Sequence, residues 1–224
     1  MRTGRTTLIA IALLALGATS VHAEESGWSL RFNGTWTAPE QTNVDDSDPA
    51  VRFETTTGET FGLGLGLEYR FSKRVGLEFG AQVGYDASMR YKLSDPEGKV
   101  FGDPLDAHPG GDMRFVIYDA ALNIYVAAGQ VEVYVGPVIG YITYDDVDVR
   151  LGSFLVPATV LNDSGGAVGG VLGLDIPFSN SHWFLTSSVR YLVASYDSRL
   201  SVETSTRSID FDPFIARLGL GYRF

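Results

Sequence analysis

From Trp28 to the last residue, apolar and polar positions alternate with a period of two. That is the mark of strands whose two faces meet different surroundings. The first segment sets Trp28, Leu30, Phe32, Gly34 and Trp36 against Ser29, Arg31, Asn33, Thr35 and Thr37. The second sets Phe61, Leu63, Leu65, Leu67, Tyr69 and Phe71 against Gly62, Gly64, Gly66, Glu68 and Arg70. The third sets Val75, Leu77, Phe79, Ala81, Val83 and Tyr85 against Gly76, Glu78, Gly80, Gln82 and Gly84. A fourth, over 116–126, opposes its Val, Tyr and Leu positions to Asp119, Ala121, Asn123 and Tyr125. The fifth places Glu132, Tyr134, Gly136, Val138 and Gly140 on its second face. The sixth, over 168–178, is rich in glycine, and the seventh, over 183–191, opposes Trp183 and Tyr191 to Phe184 and Arg190. The eighth ends the chain with Phe214, Ala216, Leu218, Leu220, Tyr222 and Phe224 on the apolar side.

Eight segments of about 9–12 residues are long for a soluble sheet and suit strands crossing a bilayer at a tilt. Their connections alternate in length. Short turns fall at Ser72-Lys73-Arg74, Ala128-Gly129-Gln130 and Ser179-Asn180-Ser181-His182, and long polar stretches at 39–59, 87–113, 145–164 and 194–210. With alternating strand directions, Trp28, Tyr69, Phe71, Phe178, Trp183, Tyr222 and Phe224 gather at one rim. Trp36, Phe61, Tyr85, Tyr118, Tyr141, Tyr191 and Phe214 gather at the other. Two aromatic girdles, short turns at one end and long loops at the other are the plan of an outer-membrane barrel. A soluble barrel of lipocalin type fits the alternation equally well but turns its apolar face inward. The aromatic rims and the narrow Gly, Thr, Glu and Arg face favour the membrane arrangement. The expected fold is therefore all-β: an eight-stranded antiparallel transmembrane β-barrel with short periplasmic turns and long extracellular loops.

The N-terminus agrees with export. Arg2 and Arg5 precede an apolar run from Leu8 to Leu16, and Val21-His22-Ala23 ends in a small residue, as a cleaved signal peptide requires. Residues 1–23 are read as that leader and 24–224 as the barrel domain. The chain has no cysteine, which excludes disulfides, thiolate metal sites and Cys nucleophiles. Its net charge of −10 becomes −12 once Arg2 and Arg5 leave with the leader, a poor match for nucleic acid.

The end of the chain, Leu218-Gly219-Leu220-Gly221-Tyr222-Arg223-Phe224, resembles the terminal signature of outer-membrane proteins. That resemblance implies that Leu218, Leu220, Tyr222 and Phe224 are read by the barrel-assembly machinery. More broadly the chain resembles the OmpW family, within the wider group of OmpA/OmpX-like small barrels. The resembling pieces are Asp212-Pro213-Phe214 with the terminal Gly221 to Phe224, Tyr134-Val135-Gly136-Pro137-Val138-Ile139-Gly140-Tyr141, the run from Gly165 to Asp175, Phe61 to Tyr69, and Val75 to Glu78. They span most of the barrel; the loops are dissimilar. The resemblance implies passage of small hydrophobic molecules through a narrow apolar funnel, with release sideways through the barrel wall. It carries no catalytic motif.

The inward residues sort by depth. Arg31, Glu68, Arg70, Glu78, Glu132, Asp175 and Arg223 fall near the periplasmic end. Their nearly balanced charge predicts a salt-bridged plug, since buried charges must be paired. Asp119, Arg190 and Arg217 lie midway, and Ile117, Val138, Ile142 and Leu192 give an apolar lining towards the outside. The same residues also suit a barrel that only anchors or adheres, its lumen plugged. The four long stretches hold 18 acidic residues against 7 basic, densest at Asp45-Asp46-Ser47-Asp48 and Asp145-Asp146-Val147-Asp148. Neither cluster follows an EF-hand, so a solvated acidic surface beside lipopolysaccharide is expected, with shared Mg²⁺ or Ca²⁺ the sharper reading. His108 and His182 stand outside any visible Ser/His/acid constellation. No enzyme activity, cofactor or resident metal is expected. The partners expected are outer-membrane lipid and lipopolysaccharide, the assembly machinery and small hydrophobic ligands.

Overall fold

A computed structural model describes residues 27–39, 42–48, 51–95, 105–107, 110–127, 130–151, 156–200 and 206–224. The leader and His108 lie outside them. The strands in chain order are β1 (Gly27–Pro39), β2 (Thr42–Asp48), β3 (Val51–Thr57), β4 (Thr60–Ser72), β5 (Val75–Asp95), β6 (Leu105–Ala107) and β7 (Gly110–Ala127). They continue with β8 (Glu132–Tyr144), β9 (Val147–Leu151), β10 (Val156–Asn162), β11 (Gly165–Pro177), β12 (Trp183–Leu200), β13 (Arg207–Asp210) and β14 (Pro213–Arg223).

Eight of them close a ring. β1 pairs with β4, then β5, β7, β8, β11, β12 and β14 follow, and β14 returns to β1, every pairing antiparallel. The seam is tied at its foot, where the Phe224 N–H donates to the Trp28 carbonyl at 3.0 Å. A closed ring leaves no strand edge without a partner, which is what hydrocarbon demands of a sheet.

The two faces of this wall are inverted relative to a soluble barrel. Phe61 is 74% exposed, Leu63 65% and Leu218 61%, whereas Arg31 and Arg190 are 2% and 1% exposed. Large apolar side chains point out and charges point in, so the outer surface is solvated by lipid rather than water. The aromatics fall into register without shifts. Trp36 pairs with Phe61, Phe61 with Tyr85, Tyr118 with Tyr141 and Tyr191 with Phe214 at one end; Trp28 pairs with Tyr69 and Trp183 with Tyr222 at the other.

The short turns have local causes. The Ser72 hydroxyl accepts from the Arg74 N–H at 3.2 Å, holding the β4–β5 turn. Between β11 and β12, Asn180 takes φ 57°, a left-handed conformation that asparagine tolerates, and the Ser181 N–H donates to the Phe178 carbonyl at 3.2 Å.

The long connections hold more order than their polar sequence predicts. β5 runs to Asp95, β7 begins at Gly110 and β12 runs to Leu200, well past the apolar segments. β3 and β6 add to β5, β2 adds to β3, and β10 and β13 add to β12 with β9 beyond. Alternation persists there, as in Met89, buried between exposed Ser88 and Arg90, but the outward residues are polar because water has replaced lipid. A bulge between Gly84 and Ala87, with Asp86 at φ 54°, marks the change on β5.

Candidate functional site: the barrel interior

The inward face of each strand delivers one residue in two to a narrow lumen. At the periplasmic end Glu132 of β8 meets Arg70 of β4 at 3.0 Å and Arg223 of β14 at 2.5 Å. Above them Arg31 of β1 reaches Glu68 and Asp175 at 2.8 Å each and Glu78 at 3.0 Å. Arg190 of β12 binds Glu78 at 2.5 Å and also pairs with Asp119 of β7. Arg217 of β14 lies 2.6 Å from Asp119 and 3.7 Å from Glu78, and its Nε donates to the Gln82 side-chain oxygen at 3.0 Å.

Five arginines thus meet five carboxylates drawn from all eight barrel strands. Neutral groups complete the shell. Asn123 Nδ2 donates to Glu68 at 3.0 Å, and the Tyr125 hydroxyl donates to the same carboxylate at 2.8 Å. Arg70 sits 3.8 Å above the Tyr125 ring. Every charge in this region has a counter-charge within reach, the condition under which burying ions is tolerable.

Large side chains fit here because glycines stand opposite them. Tyr134 lies over Gly173 and Phe184 over Gly221, so a Cβ at either glycine would collide with the ring. Those glycines are relief for a tapering lumen, not hinges.

Above the Asp119–Arg217 level the interior changes character. Ile117, Val138, Ile142 and Leu192 are all buried on the inward face, with Ala167, Ala194 and Ile215 beside them. Towards the extracellular end an aromatic group covers them. Phe115 and Phe211 pack edge to face at 5.4 Å, Phe211 meets Tyr144 at 5.5 Å, and Tyr144 stacks on Tyr196 at 4.1 Å. The inside is thus apolar over ionic, with an aromatic roof.

The ladder of the wall is interrupted beside this boundary. β7 and β8 pair from Phe115–Tyr144 to Ala121–Val138, skip two positions, and resume at Ile124–Val135. The cause is Pro137. The Asp145 N–H donates to the Arg114 carbonyl; counting in twos from there puts Pro137 opposite Leu122 at a hydrogen-bonding position. Proline has no N–H to give. At the neighbouring Gly136 a Cβ would collide with the Leu122 carbonyl, as it would with the facing carbonyls at Gly62, Gly169 and Gly219.

All seven charges read near the periplasmic end join this one network, and Asp119, Arg190 and Arg217 extend it. Leu218, Leu220, Tyr222 and Phe224 stand on the outward side or at the foot of β14, away from the lumen. Missing from the sequence reading were Asn123, Tyr125, Tyr134, Phe184 and Gln82 as parts of the network, and the whole aromatic roof. Strand parity alone assigns the first five inward; the roof lies in stretches read as loops or at their edges. His182 is exposed in its turn, 5.6 Å from the Tyr222 ring. Among the described residues no group of His, Asp or Glu has the arrangement of a metal site.

The sequence matches the family profile described as "Outer membrane protein beta-barrel domain" over residues 7–224. Among solved structures it is similar to the outer membrane protein OprG from Pseudomonas aeruginosa, with a TM-score of 0.67, 19% identity, and coverage of 92% of this chain and 99% of that one. It is also similar to the outer membrane protein AlkL in DMPC bilayers, with a TM-score of 0.52, 21% identity, and coverage of 92% and 94%. Outer Membrane Protein W of E. coli follows at a TM-score of 0.47, 20% identity, and coverage of 91% and 100%. At such identities the likeness is one of fold. Among curated proteins no sequence relative matches the chain.

Proposed function

Since the chain belongs to the outer-membrane protein β-barrel domain family, and so resides in the bacterial outer membrane, we propose that it is a passive conduit for small hydrophobic solutes. The observation that carries this reading is the axial division of the interior. A mainly apolar section, lined by Ile117, Val138, Ile142 and Leu192, with the Asp212 carboxylate held at its edge by the Ala194 N–H, ends on a floor of paired ions. An apolar molecule gains by entering the first and loses by entering the second, because it would separate charges held in low dielectric. It therefore does not continue along the axis. The interruption at Pro137, level with the top of the ionic floor and next to inward Val138, is the place where the β7–β8 wall would part to release it into lipid.

In this reading Arg31, Glu68, Arg70, Glu78, Glu132, Asp175 and Arg223 act as the plug. Residues 1–23 serve as the export leader, and no catalytic role is assigned. Leu218, Leu220, Tyr222 and Phe224 serve as the assembly signal; deleting Phe224 should lower the yield of folded barrel in cells several-fold while leaving refolding in detergent intact. Equal yields in cells would remove that role.

The test of the conduit is uptake of a hydrophobic fluorescent tracer by cells lacking or expressing the protein, alongside single-channel conductance. The intact chain should raise uptake without a steady ionic conductance. Ile117→Glu and Val138→Glu should each reduce uptake several-fold, and Pro137→Ala should reduce it by restoring the N–H opposite Leu122. Folded barrel is verified for each by its heat-dependent gel mobility. Unchanged uptake in all three variants removes the conduit. One observation favours a second reading, a barrel that only anchors: Phe115, Tyr144, Tyr196 and Phe211 close the top of the lumen. Wild-type cells with no uptake above the deletion background would establish that reading instead.

A further inference from the structure

Tyr144 and Tyr196 are out of keeping with the apolar section they roof. Tyr144 lies two residues beyond Ile142 on the inward face of β8, and Tyr196 two beyond Ala194 on that of β12. Their rings stack at 4.1 Å with 29° between planes. Tyr144 is 8% exposed and Tyr196 2%, and neither hydroxyl has a hydrogen-bond partner among the described residues. Phe115, Phe211, Val147, Val160 and Ile209 belong to the same buried cluster.

A buried phenol without a partner forfeits its hydration, at a cost that a phenylalanine in the same place would not incur. Packing alone therefore does not explain two such hydroxyls in one apolar roof. Both remain protonated donors over the whole neutral range, because burial raises each phenol above its ordinary value. Both positions lie beyond the outer girdle residues Tyr141 and Tyr191, above the hydrocarbon. A polar hollow of about 620 Å³ on the outer side of the wall, lined by Tyr141, Asp163, Ser164, Ser195, Tyr196 and Asp197, borders Tyr196 alone of the two.

We propose that the stacked Tyr144–Tyr196 pair is a hydrogen-bonding site for small aliphatic alcohols, selecting them over hydrocarbons of the same length. The inference rests on the conduit reading and names its substrate class. A phenol both donates and accepts, and so does an alcohol, so one hydroxyl on the solute can satisfy the orphaned donor of one tyrosine and the acceptor of the other. The alkyl tail then lies along Ile142, Leu192 and the apolar section below. A ketone or ester, which only accepts, satisfies half of the pair.

The test uses the full mature chain in lipid nanodiscs with tyrosine labelled at 13Cζ, a nucleus that responds to hydrogen bonding at the phenol. The probes are 1-hexanol and n-hexane, with isoleucine and leucine methyl resonances reporting occupancy of the apolar section. Tyr144→Phe and Tyr196→Phe, singly and together, keep the rings and assign the two signals. 1-Hexanol should shift both signals saturably, and should occupy the section about three- to tenfold more tightly than n-hexane, the worth of a net hydrogen bond. The double variant should lose that preference while binding n-hexane as before. Should n-hexane and 1-hexanol occupy the section equally, or the double variant keep the preference, this site is overturned and the conduit stands. Should 1-hexanol leave both 13Cζ signals in place, the hydroxyls hold water only, and the site is again overturned. If neither probe perturbs the methyl resonances, site and conduit fall together.

Discussion

Arg31→Met is expected to lower folding stability by about 3–5 kcal/mol, the range for removing one partner of a buried ion cluster. Arg31 stands within 3.0 Å of three carboxylates, Glu68, Glu78 and Asp175, all at most 1% exposed. Methionine fills similar volume but leaves Asp175 with no cation among the described ion pairs. It also leaves Glu68 with only Arg70 at 4.0 Å. Urea unfolding from phospholipid vesicles, followed by tryptophan fluorescence, gives the difference. Arg223→Met is the internal control. Its guanidinium is 32% exposed and Glu132 retains Arg70, so solvent screening holds the loss near or below about 1 kcal/mol. Equal losses for the two variants would mean that water reaches the Arg31 level, and the floor would then be a wet pore lining.

The second large effect lies on the opposite face. Leu65 is midway along the outward run of β4 between Phe61 and Tyr69, and Leu65→Arg should cost about 2–4 kcal/mol in a bilayer. The same measurement with Arg at Phe61, at the outer girdle, should show a loss of about 1 kcal/mol or less, because there the guanidinium reaches the headgroups. A depth-independent response would contradict the placement of the two girdles.

Both predictions use information that was legible as alternation. Parity along each strand separates Arg31 from Leu30 and Phe32, and lipid on one side of the wall keeps the signal clean because nearly every outward residue there is apolar. Beyond the bilayer the signal fades for a physical reason. Once water bathes the outer face, Ser88 and Arg90 flank Met89 and a strand reads as polar loop, which is why the continuations of β5, β7 and β12 were missed. Partner choice is similarly hidden. Arg31 takes its carboxylates from β4, β5 and β11, and the last of these is on the far side of the ring. That contact depends on barrel width and stagger, which no single strand encodes. The Pro137 interruption occupies a middle ground, since a proline in a long strand is visible but its hydrogen-bonding parity against Leu122 requires the register.

β4 has 13 residues and its neighbour β5 has 21. At about 3.3 Å per residue the surplus amounts to roughly 26 Å of strand, which strand tilt reduces to about 20 Å of height. The sheet therefore continues as a chimney above the hydrocarbon, and its inward side stays apolar and packed past the aromatic roof as far as Met89 and Met113. In the proposed conduit, a sparingly soluble molecule entering at that height bypasses part of the polar layer that lies outside the hydrocarbon.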